Sequence, residues 1–306
     1  MAGVFTGFGV IGILIAVGYA LGRTNLLGEG ARPAFAKLLF WVAQPALLFT
    51  LIVQNDLASM FSGVLTAQVV SLVAAIIAYV AIVVPIWRPS PGETVIGAMS
   101  ASYVNIGNLG IPIAVYALGD QSSIAPIMLF QMAVYTPLLM IALDLSTGAG
   151  EGAVAALRHV LHNPVLITSV VAILLSAFHV TLPSVIFDPI SMIAGLSVPL
   201  MLFNFGMSLA ARPPFAGDSP AGRITVAVIV KGVLQPAVAW VVADRLLGMS
   251  GHLLLVAVVM AALPTAQNTL TYATNYNVGK VLARDTAFTS TLLAVPIIAV
   301  IVWLLY

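Results

Sequence analysis

Two stretches decide the fold of this chain: Asn105-Ile106-Gly107-Asn108-Leu109-Gly110-Ile111-Pro112, and Ala262-Leu263-Pro264 continuing through Thr265-Ala266-Gln267-Asn268-Thr269-Leu270-Thr271-Tyr272. Each lies inside a run without Asp, Glu, Lys or Arg, 94–119 and 246–279. A proline inside a helix removes one backbone hydrogen bond and clashes with the preceding turn, and glycine permits local unwinding. Both runs are therefore expected to be broken or kinked. The Asn, Gln and Thr side chains beside the prolines can satisfy freed backbone groups or bind a polar solute.

Working outward, composition places these breaks in a bilayer. Charged residues make up 7% of 306 positions and hydrophobic residues 61%, whereas an ordinary soluble domain carries about 25% charge. Cutting the chain at its charges leaves further runs at 1–22, 38–55, 57–87, 121–143, 159–187, 189–211 and 286–306, plus 224–243 interrupted only by Lys231. Each suffices for a hydrocarbon core that needs about 20 helical residues. The expectation is an all-α integral membrane protein with ten transmembrane helices. The runs lack the alternation of a barrel wall. The first has no basic residue ahead of its apolar core, so it reads as a helix and not as a secretory signal.

Nine of the eleven Lys and Arg residues (Arg23, Arg32, Lys37, Arg88, Arg158, Arg212, Arg223, Lys280, Arg284) fall in odd-numbered connections, against Arg245 alone on the other side. Those connections are expected on the cytoplasmic face of the cytoplasmic (inner) membrane, with both termini outside. The net charge of +1 and the absence of a basic patch offer nothing to nucleic acid. With no cysteine there is no disulfide and no thiolate metal site.

The chain also repeats. Pro45-Ala46-Leu47-Leu48-Phe49 is echoed by Pro199-Leu200-Met201-Leu202-Phe203, Pro112 pairs with Pro264, and Pro137 with Pro296, all at similar offsets. An odd helix count per repeat makes the second half enter from the opposite face. The expected organisation is a five-helix repeat over 1–145, a cytoplasmic linker over 146–163 and an inverted five-helix repeat over 164–306. Matched breaks in helices four and nine then mark a binding site, whose new helix N-termini favour an anion. Kinked helices held together by their amides are the structural alternative.

Lys231 stands about 10 Å inside helix eight, with no acid at mid-membrane by sequence position. Backbone carbonyls, water or a substrate carboxylate can partner it, or it is neutral, or it caps a helix C-terminus. Candidate site residues are Asn105, Asn108, Gly110, Pro112, Lys231, Pro264, Gln267 and Asn268, joined by Tyr135 in helix five. Gln44, Asn204 and Gln235 are further polar groups that either face the site or bond between helices. Gly18-x-x-x-Gly22 permits close helix approach.

No enzyme pattern holds. Gly248-Met249-Ser250-Gly251 resembles an intramembrane serine protease motif but lacks a histidine in a later helix, and there is neither HExxH nor a phosphate-binding glycine loop. No cofactor is expected, and the coupling ion is left open between proton, sodium and none.

Asn105 to Pro112, Phe130-Gln131 with Tyr135, Asp188 to Ala210, Lys231 to Pro236, and Ala262-Leu263-Pro264 running to Tyr276-Asn277-Val278 together resemble the auxin efflux carrier family, which includes plant auxin exporters and bacterial organic-acid carriers. The resemblance implies that helices four and nine cross at their breaks. It also implies a scaffold of helices one, two, six and seven, often dimeric, and a transport domain of helices three to five and eight to ten moving as an elevator. It carries the helix-five amide onto Gln131. Helix nine departs from the plant pattern at Gln267 and Asn268, so auxin does not follow as the substrate. The expected function is secondary transport of a small organic anion, a mono- or dicarboxylate. A sodium-coupled bile-acid-type symporter or a channel is the alternative.

Overall fold

The computed structural model describes residues 2–28, 30–54, 63–148, 161–210 and 221–305, and every regular element among them is helical. Among the described residues, six helices are long and apolar enough to cross a membrane: α2 (Ala31–Gln54), α3 (Gly63–Trp87), α5 (Ile124–Thr147), α7 (Ser184–Ala210), α8 (Ala221–Leu246) and α10 (Lys280–Leu305). They are joined by α1 (Ala2–Thr24), the shorter α6 (Pro164–Ala177) and two interrupted helices. The interrupted pair are α4a (Pro91–Ser102) with α4b (residues 106–118), and α9a (Gly251–Ala261) with α9b (Asn268–Asn275).

Local chemistry sets the starts. Pro91 opens α4a behind Ser90, whose hydroxyl accepts from the Glu93 N–H while the Glu93 carboxylate accepts from the Ser90 N–H. Asn163 caps α6 with its side chain alone, accepting from the amides of Val165 and Leu166. The expected run 189–211 begins too late. α7 starts at Ser184, and Asp188 is an exposed residue of its second turn instead of a boundary, because a carboxylate near a helix N-terminus is favoured by the dipole. Most of the expected linker, residues 149–160, lies outside the described residues.

Several prolines widen helices without breaking them. Leu39–Ala43, Gln131–Tyr135 and Val230–Leu234 are π turns, followed by Pro45, Pro137 and Pro236. In each, the residue before the proline (Gln44, Thr136, Gln235) donates to a carbonyl five residues back. The proline cannot donate and its ring presses on the carbonyl four back, so one residue is looped into the turn and the helix continues.

The helices pack in two groups. In the first, α1 lies along the second part of α7 (Ser197–Ala210), while α6 and the first part of α7 lie against α2. Gly18 abuts Phe203, Gly22 abuts Met207, and Gly206 abuts the backbone of Ile15 and Tyr19, so closely that a Cβ at any of them would collide with main chain. The Gly18-x-x-x-Gly22 motif thus joins two helices of one chain. The Ser197 hydroxyl adds a 2.7 Å bond to the Ala43 carbonyl. In the second group α3 contacts α4a, α8 and α9a, α10 contacts α4a, α8 and both parts of α9, and α5 contacts α4a. The groups meet where α4b touches α1 and α7.

Candidate functional site

Helix four leaves its helical path at Tyr103–Asn105 and helix nine at residues 262–267. The two extended segments run antiparallel, Val104 opposite Thr265. The Asn105 N–H donates to the Pro264 carbonyl at 2.9 Å, and the Ala266 N–H donates to the Tyr103 carbonyl at 3.0 Å. Pro264 is therefore at its break, as expected, but Pro112 is not. Pro112 lies in continuing helix between the π turns Ile106–Gly110 and Ile113–Leu118, where the i−5 bond from Ile111 to Ile106 accommodates it. What stops α4a is the exchange of its ladder for pairing with helix nine, together with Asn105, whose Oδ1 accepts the Asn108 N–H at 3.3 Å and starts α4b.

A helix end exposes carbonyls that need donors, and side chains supply them here. The Thr265 hydroxyl donates to the Ser100 carbonyl at 2.6 Å, and Gln235 Nε2 donates to the Ser102 carbonyl at 3.2 Å, both at the end of α4a. Lys231 Nζ donates to the carbonyl of Ala261, the last residue of α9a, at 3.2 Å, and to Gln235 Oε1 at 2.7 Å. The Ser290 hydroxyl accepts the Thr265 N–H at 3.1 Å. Lys231, Gln235 and Thr265 have no exposed surface. Leaving a buried donor or acceptor unpaired costs about 1–3 kcal/mol, so these bonds tie both breaks together.

The N-terminal ends of α4b and α9b face a cavity of about 670 Å³. Asn105, Asn108, Gln131, Gln267 and Asn268 line it, with Gln44 from α2, Asn204 from α7 and Tyr103 and Thr271 beside them. Asn25 and Gly28 of the α1–α2 connection and Arg32 of the first turn of α2, all exposed, also line it. Asn105 and Gln131 are each 2% exposed, yet Asn105 Nδ2 and Gln131 Oε1 have no hydrogen-bond partner, nor has Asn204 Oδ1. An unpaired buried amide costs free energy unless a ligand or water meets it. Gln267 Nε2 is used at 2.8 Å by the Ser208 hydroxyl of α7, tying α9b to the first helix group.

Of the residues expected at the site, Gly110, Pro112, Tyr135, Lys231 and Pro264 do not line this cavity. A Cβ on Gly110 would meet Ile106 and Leu263 at 2.7 Å, so its smallness lets helix nine approach. Tyr135 stacks on Tyr103 with centroids 5.4 Å apart and bonds the Ser102 hydroxyl at 2.5 Å. Lys231 is turned to the helix ends and not to the cavity, which matches the capping alternative. Arg32 was legible only as an orientation charge, since its separation from the amide motifs hides that it shares their cavity. Gln44 and Asn204 carried no signal beyond being polar residues in apolar helices.

A profile of the membrane transport protein family matches residues 9–150 and 152–302. An uncharacterized transporter of Methanocaldococcus jannaschii is 25% identical over 97% of both chains. A putative malonate transporter of Rhizobium meliloti is 24% identical over 95% of this chain and 92% of its own. Auxin efflux carrier component 3 of Arabidopsis thaliana is 32% identical over 46% of this chain, which is 22% of that protein.

Proposed function

The chain belongs to the membrane transport protein family, whose members include plant auxin efflux carriers, and from that premise we propose that it is a secondary carrier of a small organic anion, a mono- or dicarboxylate. One observation carries the reading. Buried amides left without partners, Asn105 Nδ2 above all, converge with the N-terminal ends of two half-helices on one cavity. Amide donors and positive dipole ends suit a carboxylate, and Arg32 at the mouth draws anions toward it. Gln131 Oε1 adds an acceptor for a hydroxyl or protonated carboxyl on the same molecule. Lys231 belongs to the framework of this site, behind its liganding surface.

The same reading includes ten spans arranged as two inverted five-helix repeats that cross at helices four and nine. The antiparallel pairing of Val104 with Thr265 supports the crossing. The Ser197 to Ala43 bond joins positions 154 apart, the offset of the Pro45 and Pro199 segments, which supports a two-fold relation between the halves. The packing of α1, α2, α6 and α7 chiefly on one another, with the other helices meeting them through α4b and α5, supports a scaffold and a moving elevator domain, with the cavity between them. With the α1–α2 connection on the cytoplasmic side, the cavity is inward-open.

Proteoliposomes offered a panel of mono- and dicarboxylates should show saturable uptake. Asn105→Ala and Gln131→Leu should lower it at least several-fold while the purified variants keep the wild-type unfolding temperature. Wild-type uptake in both variants would remove the cavity as the substrate site, and no uptake of any carboxylate would remove the substrate class.

A further inference from the structure

We propose that Gln267 is a latch with two alternative acceptors, the Ser208 hydroxyl of α7 in the empty carrier and the substrate carboxylate in the loaded one, so that loading unties α9b from the first helix group. The hydroxyl fixes which way the amide points. Ser208 Oγ donates its one hydrogen to the Phe205 carbonyl at 2.7 Å, so toward Gln267 it can only accept, and Gln267 Nε2 is the donor, at 2.8 Å. Gln267 also lines the cavity, and an amide held by its nitrogen on α7 is not free to close on a substrate. The other break differs. Asn105 and Gln267 each stand immediately before a half-helix, but Asn105 caps its own helix through Oδ1 and keeps Nδ2 unpaired. Gln267 makes no side-chain cap bond to α9b and reaches across to a helix of the other group. Of the two donors placed at the breaks, one is free and the other is engaged by the first helix group.

The bond is weak enough for a ligand to displace. A hydrogen bond between helices in a membrane shifts an equilibrium by a factor of about three, while a bond to an ionised carboxylate is roughly twice as strong as one between neutral groups. An anion seated at the half-helix ends therefore wins the amide from the hydroxyl, and α7 loses its hold on α9b. Ser208 does not line the cavity, so it acts on the substrate only through Gln267 and is a positioning residue. The latch rests on the carrier reading and goes beyond it by naming the bond that the substrate breaks.

Carboxylate uptake by the full chain in proteoliposomes should be compared for wild type, Ser208→Ala, Gln267→Ala and the double variant. Ser208→Ala should lower the KM about threefold, because the anion no longer has to displace a hydroxyl. Ser208→Thr, which keeps the acceptor, should restore the wild-type KM. Gln267→Ala should raise the KM, and in that background Ser208→Ala should change nothing. A KM for Ser208→Ala equal to or above that of wild type would overturn the proposal, as would a Ser208→Ala effect that survives in the Gln267→Ala background. A second measurement uses no substrate. In the purified chain, amide hydrogen exchange within α9b should be faster in Ser208→Ala than in wild type, with α4b unchanged. Equal exchange in α9b would show that the bond does not hold this helix and would also overturn the proposal. Absence of any carboxylate uptake by wild type would remove the carrier reading and the substrate's part in the latch together, whereas wild-type uptake with an unmoved KM in Ser208→Ala removes the latch alone.

Discussion

Replacing Thr265 with valine tests whether side chains hold the crossover. The two residues have nearly the same shape, so the substitution removes one hydroxyl with little change in packing. That hydroxyl donates to the Ser100 carbonyl at 2.6 Å, and both residues are completely buried. Val104, whose N–H would close the ladder on Ser100 in an unbroken helix, sits in the extended segment. The carbonyl is then left without this donor in an apolar setting, at a cost of about 1–3 kcal/mol. For a chain of this size the unfolding temperature should fall by roughly 2–5 °C. Tryptophan fluorescence during heating in detergent would read the change. Thr265→Ser should restore most of it, and Thr274→Val should stay within about 1 °C of wild type, because the Thr274 bond to Leu270 is exposed. An unfolding temperature for Thr265→Val equal to that of Thr274→Val would refute the claim that this hydroxyl secures the break.

Two further outcomes follow from the packing and the cavity mouth. Gly206→Ala should cost about 1–3 kcal/mol and lower the yield of monodisperse protein, because its methyl would press on the Ile15 and Tyr19 backbone and force α1 away from α7. Arg32→Gln should slow carboxylate uptake at low ionic strength and approach the wild-type rate in high salt, since an exposed charge at the mouth acts by screened attraction.

Much of the site could be read in the sequence because broken membrane helices must display polar residues next to Gly and Pro. Asn105, Asn108, Gln267 and Asn268 are such residues, and they share one cavity with Gln131 of the unbroken helix α5, which only the family resemblance singled out. The position of the helix-four break could not be read from Pro112. A proline removes one donor, and a π turn absorbs that loss. Leaving the helix altogether took a competing set of partners on helix nine. Tyr135 and Lys231 are polar residues of apolar helices, and in the fold their polar atoms meet the Ser102 hydroxyl and the Ala261 carbonyl outside the cavity.

By itself the sequence determined the membrane-spanning class, the helical content, the family and the amide residues of the breaks, because each depends on composition or on neighbours along the chain. Tertiary structure alone decided which carbonyls each buried donor meets. Lys231 lies 30 residues from Ala261 and Gln235 lies 133 from Ser102, and only packing brings such groups within bonding distance. A lysine in mid-membrane must find oxygen somewhere; the fold directed it to a helix end, leaving the cavity to uncharged amides and to Arg32 at its mouth.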